Sequence, residues 1–211
     1  GAGTNRIVIE GVKELHGADH TVIPDRIEAG TFLVAGAICG DGVMVRKVIP
    51  AHLKTTTDTL AASGYEITST KDTVTVMPAD NPKGFHLTTR PYPGFPTDMQ
   101  AQFCALACTI PGLSSIKETI FPQRFMHVAE LKRMGASIEL DGDSARITGV
   151  ETLSGAPVMA SDLRASAALV LAALRAKGTT EIHRLYHIDR GYEHLDEKLA
   201  TLGAEMERVK E

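Results

Sequence analysis

Residues 24–40 read PDRIEAGTFLVAGAICG, and this stretch decides the fold. An aspartate opens a run that is apolar or small on nearly every face, and a glycine closes the run. A helix that is apolar all round must be buried. An acidic side chain at its start accepts backbone N–H groups and interacts favourably with the helix dipole. The pattern therefore predicts a buried helix from Arg26 to Cys39 that ends at Gly40.

The same block occurs twice more along the chain. The later copies open at Asp98 and Asp162, and they close in Leu-rich helices that end at Gly135 and Gly203, as the first copy closes at Gly64. The three aspartate-to-glycine distances are nearly equal. Repetition of a supersecondary unit predicts a pseudo-symmetric domain. Polar residues that differ between the copies are then the first candidates for chemistry.

Each copy predicts the same order of elements, which is a buried helix, a strand, an amphipathic helix and further strand. The predicted elements are 26–39, 43–46, 52–63, 66–68 and 73–76 in the first copy, 101–110, 114–120, 126–134, 137–140 and 145–148 in the second, and 165–176, 180–185, 192–202 and 205–209 in the third. Thr97 and Ser161 are the predicted N-caps of the second and third buried helices. The third copy has one final strand where the others have two, which suggests that a strand comes from elsewhere in a longer chain.

Two segments lie outside the copies. Residues 4–12 contain Ile7, Val8 and Ile9 and predict an extra strand. Residues 78–96 contain five prolines. Because proline breaks helices and central strands, this segment is expected to be largely extended loop.

Composition limits the possible functions. The chain has 211 residues, of which 43% are apolar, and it can bury a substantial core. Its net charge of −4 disfavours a nucleic acid or a membrane surface as partner, and no apolar run is long enough to span a bilayer. The three cysteines indicate reduced thiols of a cytoplasmic protein. No Cys/His cluster has metal-ligand spacing, so neither a metal nor a cofactor is predicted.

Acidic residues at the helix starts are the first set of candidates. For Asp25 and Asp162, helix capping is the favoured interpretation, and a place in a functional site is the less favoured one. Asp98 differs, since the preceding Thr97 can supply the cap and leave the carboxylate to point into a cleft. For Asp98, the sequence favours a functional role and a structural role equally. Cys104 and Cys108 lie one turn apart on an apolar run and are interpreted as core residues rather than nucleophiles.

Arginines form the second set. Arg124 and Arg190 lie in corresponding strand-to-helix turns of the second and third copies. Arg164 lies in the first turn of a buried helix, where a cation opposes the dipole and therefore needs an anionic partner. Arginines at helix starts can bind an anion. The alternative is a set of structural ion pairs, such as Arg190 with Asp189 or Glu193.

Six longer motifs carry a resemblance to a known family. They are PDRIEAGTF at 24–32, FPTDMQAQF at 95–103, RFMHV at 124–128, MGA at 134–136, LSGAPVMASDLRAS at 153–166 and YHIDRGYE at 186–193. Together they resemble the UDP-N-acetylglucosamine 1-carboxyvinyltransferase family of enolpyruvyl transferases, over essentially the whole chain. The sister family of 5-enolpyruvylshikimate-3-phosphate synthases shares the fold but not these motifs.

The resemblance implies an α/β fold, in which βαβαββ-like units with pseudo-threefold symmetry surround buried parallel helices, as half of a two-domain enzyme. Residues 1–22 would be the terminal strand segment of the other domain. Residues 23–211 would form the enolpyruvyl transferase domain, with repeats at about 23–77, 95–150 and 157–211. The mobile loop that carries the family's catalytic cysteine lies in the other domain.

The implied activity is transfer of the enolpyruvyl group of phosphoenolpyruvate to the 3-hydroxyl of UDP-N-acetylglucosamine, with release of phosphate. This is the first committed step of peptidoglycan synthesis and takes place in the cytoplasm. The N-terminal domain of the same enzyme is the implied partner, and this chain alone is expected to be inactive. A non-catalytic anion-binding or scaffold domain that retains the fold is the alternative.

The resemblance also assigns residues. Asp98 resembles the carboxylate that contacts the sugar 3-hydroxyl and moves its proton, and Arg190 resembles the arginine that binds the phosphate or carboxylate of phosphoenolpyruvate. These two are the expected catalytic residues. The expected substrate-binding residues are Asp98, Ile120, Phe121, Arg124, Asp162, Arg164 and Arg190.

Within that set, Asp162 and Arg164 are expected around the reacting enolpyruvyl group. Ile120 and Phe121 match the turn on the nucleotide side. The chain departs from the family where Pro122 and Gln123 replace a common Glu-Asn pair.

Overall fold

The computed structural model describes residues 1–40 and 42–209. The described elements form a mixed α/β fold and follow the order α1 (Arg26–Cys39), β1 (Val43–Arg46), α2 (Lys54–Ala62), β2 (Glu66–Ser69), β3 (Thr73–Met77), β4 (His86–Thr88), α3 (Gln100–Thr109), β5 (Leu113–Lys117), α4 (His127–Arg133), β6 (Ser137–Asp141), β7 (Ser144–Thr148), β8 (Pro157–Met159), α5 (Leu163–Ala173), β9 (Glu181–His183) and α6 (Leu195–Thr201). Short 3-10 turns lie at Pro50–Leu53, Thr97–Met99 and Leu185–His187. The predicted third repeat extends past the described residues, to Glu211.

Helix α1 confirms the prediction made from its sequence. The Asp25 side chain caps it by accepting hydrogen bonds from the backbone nitrogens of Ile27 and Glu28. Gly40 ends the helix in the left-handed conformation with φ of 81°, which glycine adopts without a steric penalty. Both ends of the helix are therefore set by residues adjacent to it in sequence.

The core consists of α1, α3 and α5, which pack against one another. Nine of the ten residues of α3 are buried, and small residues on all three helices allow close approach. Helix α1 also packs closely on its own sheet, since a Cβ at Gly36 would lie 2.8 Å from the Cβ of Val43 in β1. Burial of a large aliphatic side chain such as Leu33 or Leu106 contributes about 1.5–3 kcal/mol each.

Three sheets surround these helices, one for each repeat. The first has the order β1-β3-β2 and is antiparallel. The second has the order β4-β5-β7-β6, with β4 parallel to β5 and the other pairs antiparallel. The third is the parallel pair β8-β9. The elements from β4 to β7 thus follow the complete βαβαββ order, although β4 precedes the predicted start of the second repeat at about residue 95. The predicted fold class is confirmed.

Both predicted hydroxyl caps are wrong. Thr97 makes no cap hydrogen bond, because its hydroxyl is bound to the charged side chains of Glu118 and Arg124. Helix α5 is capped by Asp162 rather than Ser161, with the Asp162 Oδ1 accepting from the nitrogens of Arg164 and Ala165 at 2.8 and 2.9 Å. A carboxylate is the stronger acceptor at the positive end of a helix.

Two predicted strands are absent. Residues 1–25 form neither helix nor strand, and Ile7, Val8 and Ile9 are exposed, because a strand needs a hydrogen-bonded neighbour and the described chain offers none there. Residues 205–209 are also irregular. Arg208 instead binds the carboxylates of Asp189 and Asp196.

Two short strands were not predicted. The proline-rich segment contains β4, which pairs with β5, and residues 157–159 form β8, which pairs with β9. The five prolines of residues 78–96 all lie outside β4. Both strands are three residues long, and each depends on a parallel partner distant in sequence rather than on a local pattern.

Candidate active site

The three central helices are parallel, so they have a common end where all of them begin. At this end Asp98 precedes α3, Arg164 lies in the first turn of α5, and Thr31 of α1 contacts Gln102 of α3. At the opposite end, one cavity is lined by the last residues of α1 and α3 and by Arg175 after α5. Three positive helix ends therefore converge near the predicted site.

Asp98 lies between two arginines. Its Oδ1 accepts from Nη1 of Arg124 at 2.7 Å, and its Oδ2 accepts from Nη2 of Arg164 at 3.2 Å. The Asp98 side chain is 38% exposed, whereas that of Arg164 is 12% exposed. The structure thus brings together three of the predicted site residues, and Asp98 is the anionic partner that Arg164 was expected to need.

The two arginines stabilise the ionised form of the Asp98 carboxyl group. Burial alone would raise the pKa of this carboxyl group, but hydrogen bonds and charge from Arg124 and Arg164 outweigh burial and hold its pKa below the usual range. The second terminal nitrogen of Arg164, Nη1, is buried and has no partner among the described residues. Because Nη1 is enclosed, the donors of this cluster that an anion can reach are those of the partly exposed Arg124.

Glu118 supports this cluster and was not predicted from the sequence. It is fully buried, and its Oε1 accepts from Thr89 Oγ1 at 2.7 Å and from the backbone nitrogens of Ile120 and Phe121 at 2.8 and 3.0 Å. Its Oε2 accepts from Thr97 Oγ1 at 2.8 Å. No short-range pattern signals this role, because Thr89 and Thr97 are distant in sequence.

The same carboxylate shapes the turn at Ile120 and Phe121. The predicted strand 114–120 ends at Lys117. Beyond it, the Thr119 N–H donates to the Thr89 hydroxyl, and the Ile120 and Phe121 N–H groups donate to the Glu118 carboxylate instead of to a neighbouring strand. The Phe121 ring is 55% exposed and lies 5.4 Å from the Arg124 guanidinium carbon. Arg124 therefore has an aromatic contact on one side and Asp98 on the other.

Asp162 takes the capping role that the sequence favoured for it, and it also lies near a buried histidine. His127 is 2% exposed. Burial lowers the pKa of His127 to about 4, with a raising contribution from Asp162 and a lowering one from Arg124. The ring is therefore neutral at neutral pH, and its Nε2 has no hydrogen-bond partner among the described residues.

Arg190 stands apart from the Asp98 cluster. It is exposed, and within the described part of the chain no acceptor is paired with its guanidinium. Asp189 instead binds Arg208, whose Nη2 and Nη1 reach the two Asp189 oxygens at 2.7 and 2.9 Å. The alternative of a structural ion pair between Arg190 and Asp189 or Glu193 is therefore wrong.

Two of the three cysteines are core residues, whereas Cys39 at the end of α1 is exposed, contrary to the core position expected for it. Cys104 and Cys108 are fully buried on α3, as predicted, and the Cys108 thiol donates to the Cys104 carbonyl oxygen. Burial and the neighbouring thiol raise the pKa of Cys104 far above its usual range. Over residues 1–40 and 42–209, no group of three or more His, Cys, Asp or Glu side chains could hold a metal ion, and no helix is long and apolar enough to cross a membrane.

Three units of helices and strands surround the buried helices, and two arginines bridge an aspartate at their common start, as the resemblance to the enolpyruvyl transferases implied. Residues 1–199 match the EPSP synthase (3-phosphoshikimate 1-carboxyvinyltransferase) family, and the chain belongs to that family. Together with the relatives that follow, this match confirms the resemblance stated from the motifs.

Individual relatives are more specific. The chain is 65% identical over 211 residues to the UDP-N-acetylglucosamine 1-carboxyvinyltransferase of Akkermansia muciniphila, covering 99% of this chain and 50% of that protein. It is 57% identical over 210 residues to the enzyme of the same name from Anaeromyxobacter sp. (strain K), covering 100% of this chain and 50% of that protein. The chain thus spans about half the length of the curated relatives it matches.

Solved structures confirm the fold. The enolpyruvyl transferase NikO from Streptomyces tendae superposes with a TM-score of 0.81 at 31% identity, over 89% of this chain and 45% of that one. EPSP synthase from Acinetobacter baumannii superposes with a TM-score of 0.70 at 17% identity, over 90% of this chain and 44% of that one. The second likeness concerns the fold alone.

Proposed function

We propose that this chain is part of a UDP-N-acetylglucosamine 1-carboxyvinyltransferase, which transfers the enolpyruvyl group of phosphoenolpyruvate to the 3-hydroxyl of UDP-N-acetylglucosamine and releases phosphate. The observation that carries the proposal is Asp98, whose two carboxylate oxygens accept from Arg124 and Arg164. In the proposal, Asp98 is the proton acceptor and the two arginines beside it are the cations. The 65% identity to the Akkermansia muciniphila protein supports the choice of substrates.

The reaction needs these groups. The sugar hydroxyl adds to C2 of phosphoenolpyruvate while a proton adds to C3, and loss of a C3 proton then expels phosphate. Asp98 takes the hydroxyl proton, and the arginines stabilise the phosphate and carboxylate charges. Arg124, whose side chain is 23% exposed, can donate to such an anion, whereas Arg164 Nη1 is buried.

The free protein holds Asp98 in an unreactive state. A carboxylate with two guanidinium partners and a lowered pKa is a weak base. An anionic substrate group that binds Arg124 and Arg164 competes with Asp98 for the same N–H groups. Substrate binding therefore raises the basicity of Asp98 at the moment when it is needed.

The remaining residues have supporting roles in the proposal. Exposed Arg190 binds the phosphate or carboxylate of phosphoenolpyruvate, since its guanidinium is not engaged by the described residues. Ile120 and exposed Phe121 contact the nucleotide side of the sugar substrate. Asp162 fixes the start of α5 and thereby the position of Arg164.

The proposal includes a partner domain. Residues 1–22, whose apolar side chains are exposed here, belong to the other domain of the enzyme, and residues 23–211 form the enolpyruvyl transferase domain with its three repeats. The N-terminal domain supplies the rest of the active site. The enzyme acts in the cytoplasm, in peptidoglycan synthesis, and through it in cell shape and division.

Phosphate release tests the proposal. The full-length gene product is incubated with phosphoenolpyruvate and UDP-N-acetylglucosamine, and phosphate is measured against a blank without enzyme. We expect release that requires both substrates, and none from the 211-residue chain alone. A full-length protein that binds phosphate but releases none from the two substrates would favour the non-catalytic anion-binding or scaffold domain.

A further inference from the structure

Three buried polar side chains, one from each repeat, meet beneath the Asp98 cluster. They are Thr31 of α1, Gln102 of α3 and Tyr192, which precedes α6, and each is at most 2% exposed. The hydroxyl oxygens of Thr31 and Tyr192 are 2.9 Å apart. Gln102 Nε2 donates to Thr31 Oγ1 at 3.1 Å and to Tyr192 Oη at 3.3 Å. The surrounding core is almost entirely apolar.

The direction of each hydrogen bond follows from the available protons. The Thr31 hydroxyl donates to the backbone oxygen of Ile27 at 2.8 Å, so it accepts from Tyr192. The two hydrogens of the Gln102 amide serve the two hydroxyl oxygens. The Tyr192 phenol is therefore held by one bond that it donates and one that it accepts, and rotation of the ring out of its position would leave buried groups unsatisfied.

The held ring lies against Arg164. The guanidinium carbon of Arg164 is 5.5 Å from the centre of the Tyr192 ring. Asp98 Oδ2 binds Nη2 of the same guanidinium. Arg164 thus has the ring as one neighbour and the carboxylate as another. A cation in the first turn of a helix opposes the dipole, so both contacts stabilise it where it would otherwise be disfavoured.

The backbone next to Tyr192 is also fixed. A Cβ at Gly191 would lie 2.7 Å from Cδ2 of Leu163, the first residue of α5. The turn that carries Arg190 is therefore packed directly against the start of α5. Tyr192 is two residues from Arg190 in sequence and touches Arg164 in space, so one side chain connects two predicted site arginines.

From these contacts we propose that Tyr192, held by Thr31 and Gln102, is a positioning residue that sets Arg164, and through it Asp98, for the reaction. Tyr192 is 1% exposed, so it acts through Arg164 and not on substrate. The inference rests on the proposed function for its kinetic consequence. The placement of Arg164 is a separate, structural consequence.

The test uses the full-length protein with Tyr192→Phe, which keeps the ring and removes the hydroxyl, and Thr31→Val, which removes its main acceptor. Tyr65→Phe is the matched control, since Tyr65 is also buried but lines the cavity at the opposite helix ends. Each variant is examined for kcat, for KM of both substrates, for melting temperature and for the Nε–Hε resonance of Arg164. That resonance is assigned by its loss in Arg164→Lys.

We expect Tyr192→Phe to shift the Arg164 resonance and to lower kcat roughly ten- to hundredfold, because small displacements of positioned groups have large kinetic effects. KM for UDP-N-acetylglucosamine should stay near its original value. Thr31→Val should act in the same direction, and Tyr65→Phe should change neither quantity. If the wild-type protein releases no phosphate, the proposed function fails. The Nε–Hε resonance of Arg164 then still decides whether Tyr192 positions the Arg164 guanidinium.

A Tyr192→Phe protein with a lowered melting temperature but an unshifted Arg164 resonance and unaltered kcat would overturn the proposal. Tyr192 would then be only a core residue. If Tyr192→Phe does not fold, Thr31→Val decides by the same two readouts.

Discussion

The two ends of the central helix bundle differ in chemistry although the same three helices form both. At the starting end, Arg124 and Arg164 each form an ion pair with Asp98. At the other end, a cavity of about 590 Å³ is lined mainly by apolar and backbone groups, including Ile38, Ile110 and Val150, with Glu151 and Arg175 the charged residues among its described lining. This cavity therefore lies at the end away from the Asp98 cluster.

If the Asp98 end is the active site, as proposed above, cavity volume does not identify that site. Helix dipoles give the starting end a positive potential that favours anions, and they give the other end a negative one. An anionic substrate therefore gains at one end and not at the other. Substitutions matched between the two ends can test whether this contrast governs function.

The largest expected effect comes from Asp98→Asn in the full-length protein. Loss of a positioned base lowers kcat roughly 10²–10⁴-fold, while binding of UDP-N-acetylglucosamine weakens far less. Glu151→Gln, a carboxylate removed at the opposite end, should leave kcat unchanged. Phosphate release and calorimetric binding measure both quantities. An Asp98→Asn protein with most of its turnover would reduce Asp98 to a structural ion-pair partner.

The second effect is on stability, and the two ends should respond to opposite pH changes. The pKa of His127 is lowered from 6.5 to about 4. Between pH 6.5 and pH 4, the unfolded chain therefore binds a proton at His127 that the folded chain does not bind. The stability that is present above pH 6.5 is lost as pH falls toward 4. A shift of this size corresponds to about 3 kcal/mol in the free energy of unfolding.

At the opposite end, burial raises the pKa of Tyr65 from 10.0 to about 12. Its stabilising contribution is present below pH 10.0 and is lost as pH rises through 12. Urea denaturation across the pH range measures both. His127→Phe should flatten only the acid limb and Tyr65→Phe only the alkaline limb. An acid limb that is unchanged in His127→Phe would contradict the buried, neutral state of this histidine.

A third effect concerns Arg190. Arg190→Ala should raise KM for phosphoenolpyruvate about tenfold, in the range of one charge-assisted hydrogen bond. Arg190→Lys should recover only part of it, because a point charge cannot replace a bidentate fork. Melting temperature should not change, since Arg190 is exposed and makes no ion pair with the described residues.

Arg175→Ala, at the opposite end, is the control for Arg190 and should alter neither KM nor kcat. A normal KM in Arg190→Ala would remove Arg190 from the substrate site. A lowered melting temperature would indicate a structural contact in its place.

Sequence patterns predicted the helices well because their signals are local. For α1, the Asp25 cap, the apolar run and Gly40 are neighbours in the chain, and the observed helix has the predicted bounds. The strands β4 and β8 were missed because three residues leave no periodicity to detect, and their partners lie far along the chain.

The site was predicted less completely than the helices. Asp98 and its arginines follow from the family motifs, and the dipole argument for Arg164 correctly required an anion. Glu118 and Tyr192 were missed, since their roles depend on contacts with Thr97 and Gln102 that only folding creates. The wrong cap at Thr97 has the same cause, because its hydroxyl is recruited by distant charged groups.

The smallest expected effect tests whether Asp98 competes with an anion for its arginines. Asp98 occupies Nη1 of Arg124 and Nη2 of Arg164, so Asp98→Asn removes a negative charge and releases these donors. Inorganic phosphate should then bind several-fold more tightly, a gain on the order of 1 kcal/mol in binding free energy. The gain should shrink at high salt, because salt screens partly exposed charges.

Arg175→Ala, at the opposite end, is the control and should leave phosphate affinity unchanged. Titration calorimetry with phosphate at low and high salt measures the difference. Weaker binding by Asp98→Asn would mean that Asp98 arranges the arginines for the anion instead of competing with it, and the basicity of Asp98 would then have to be restored by some other step.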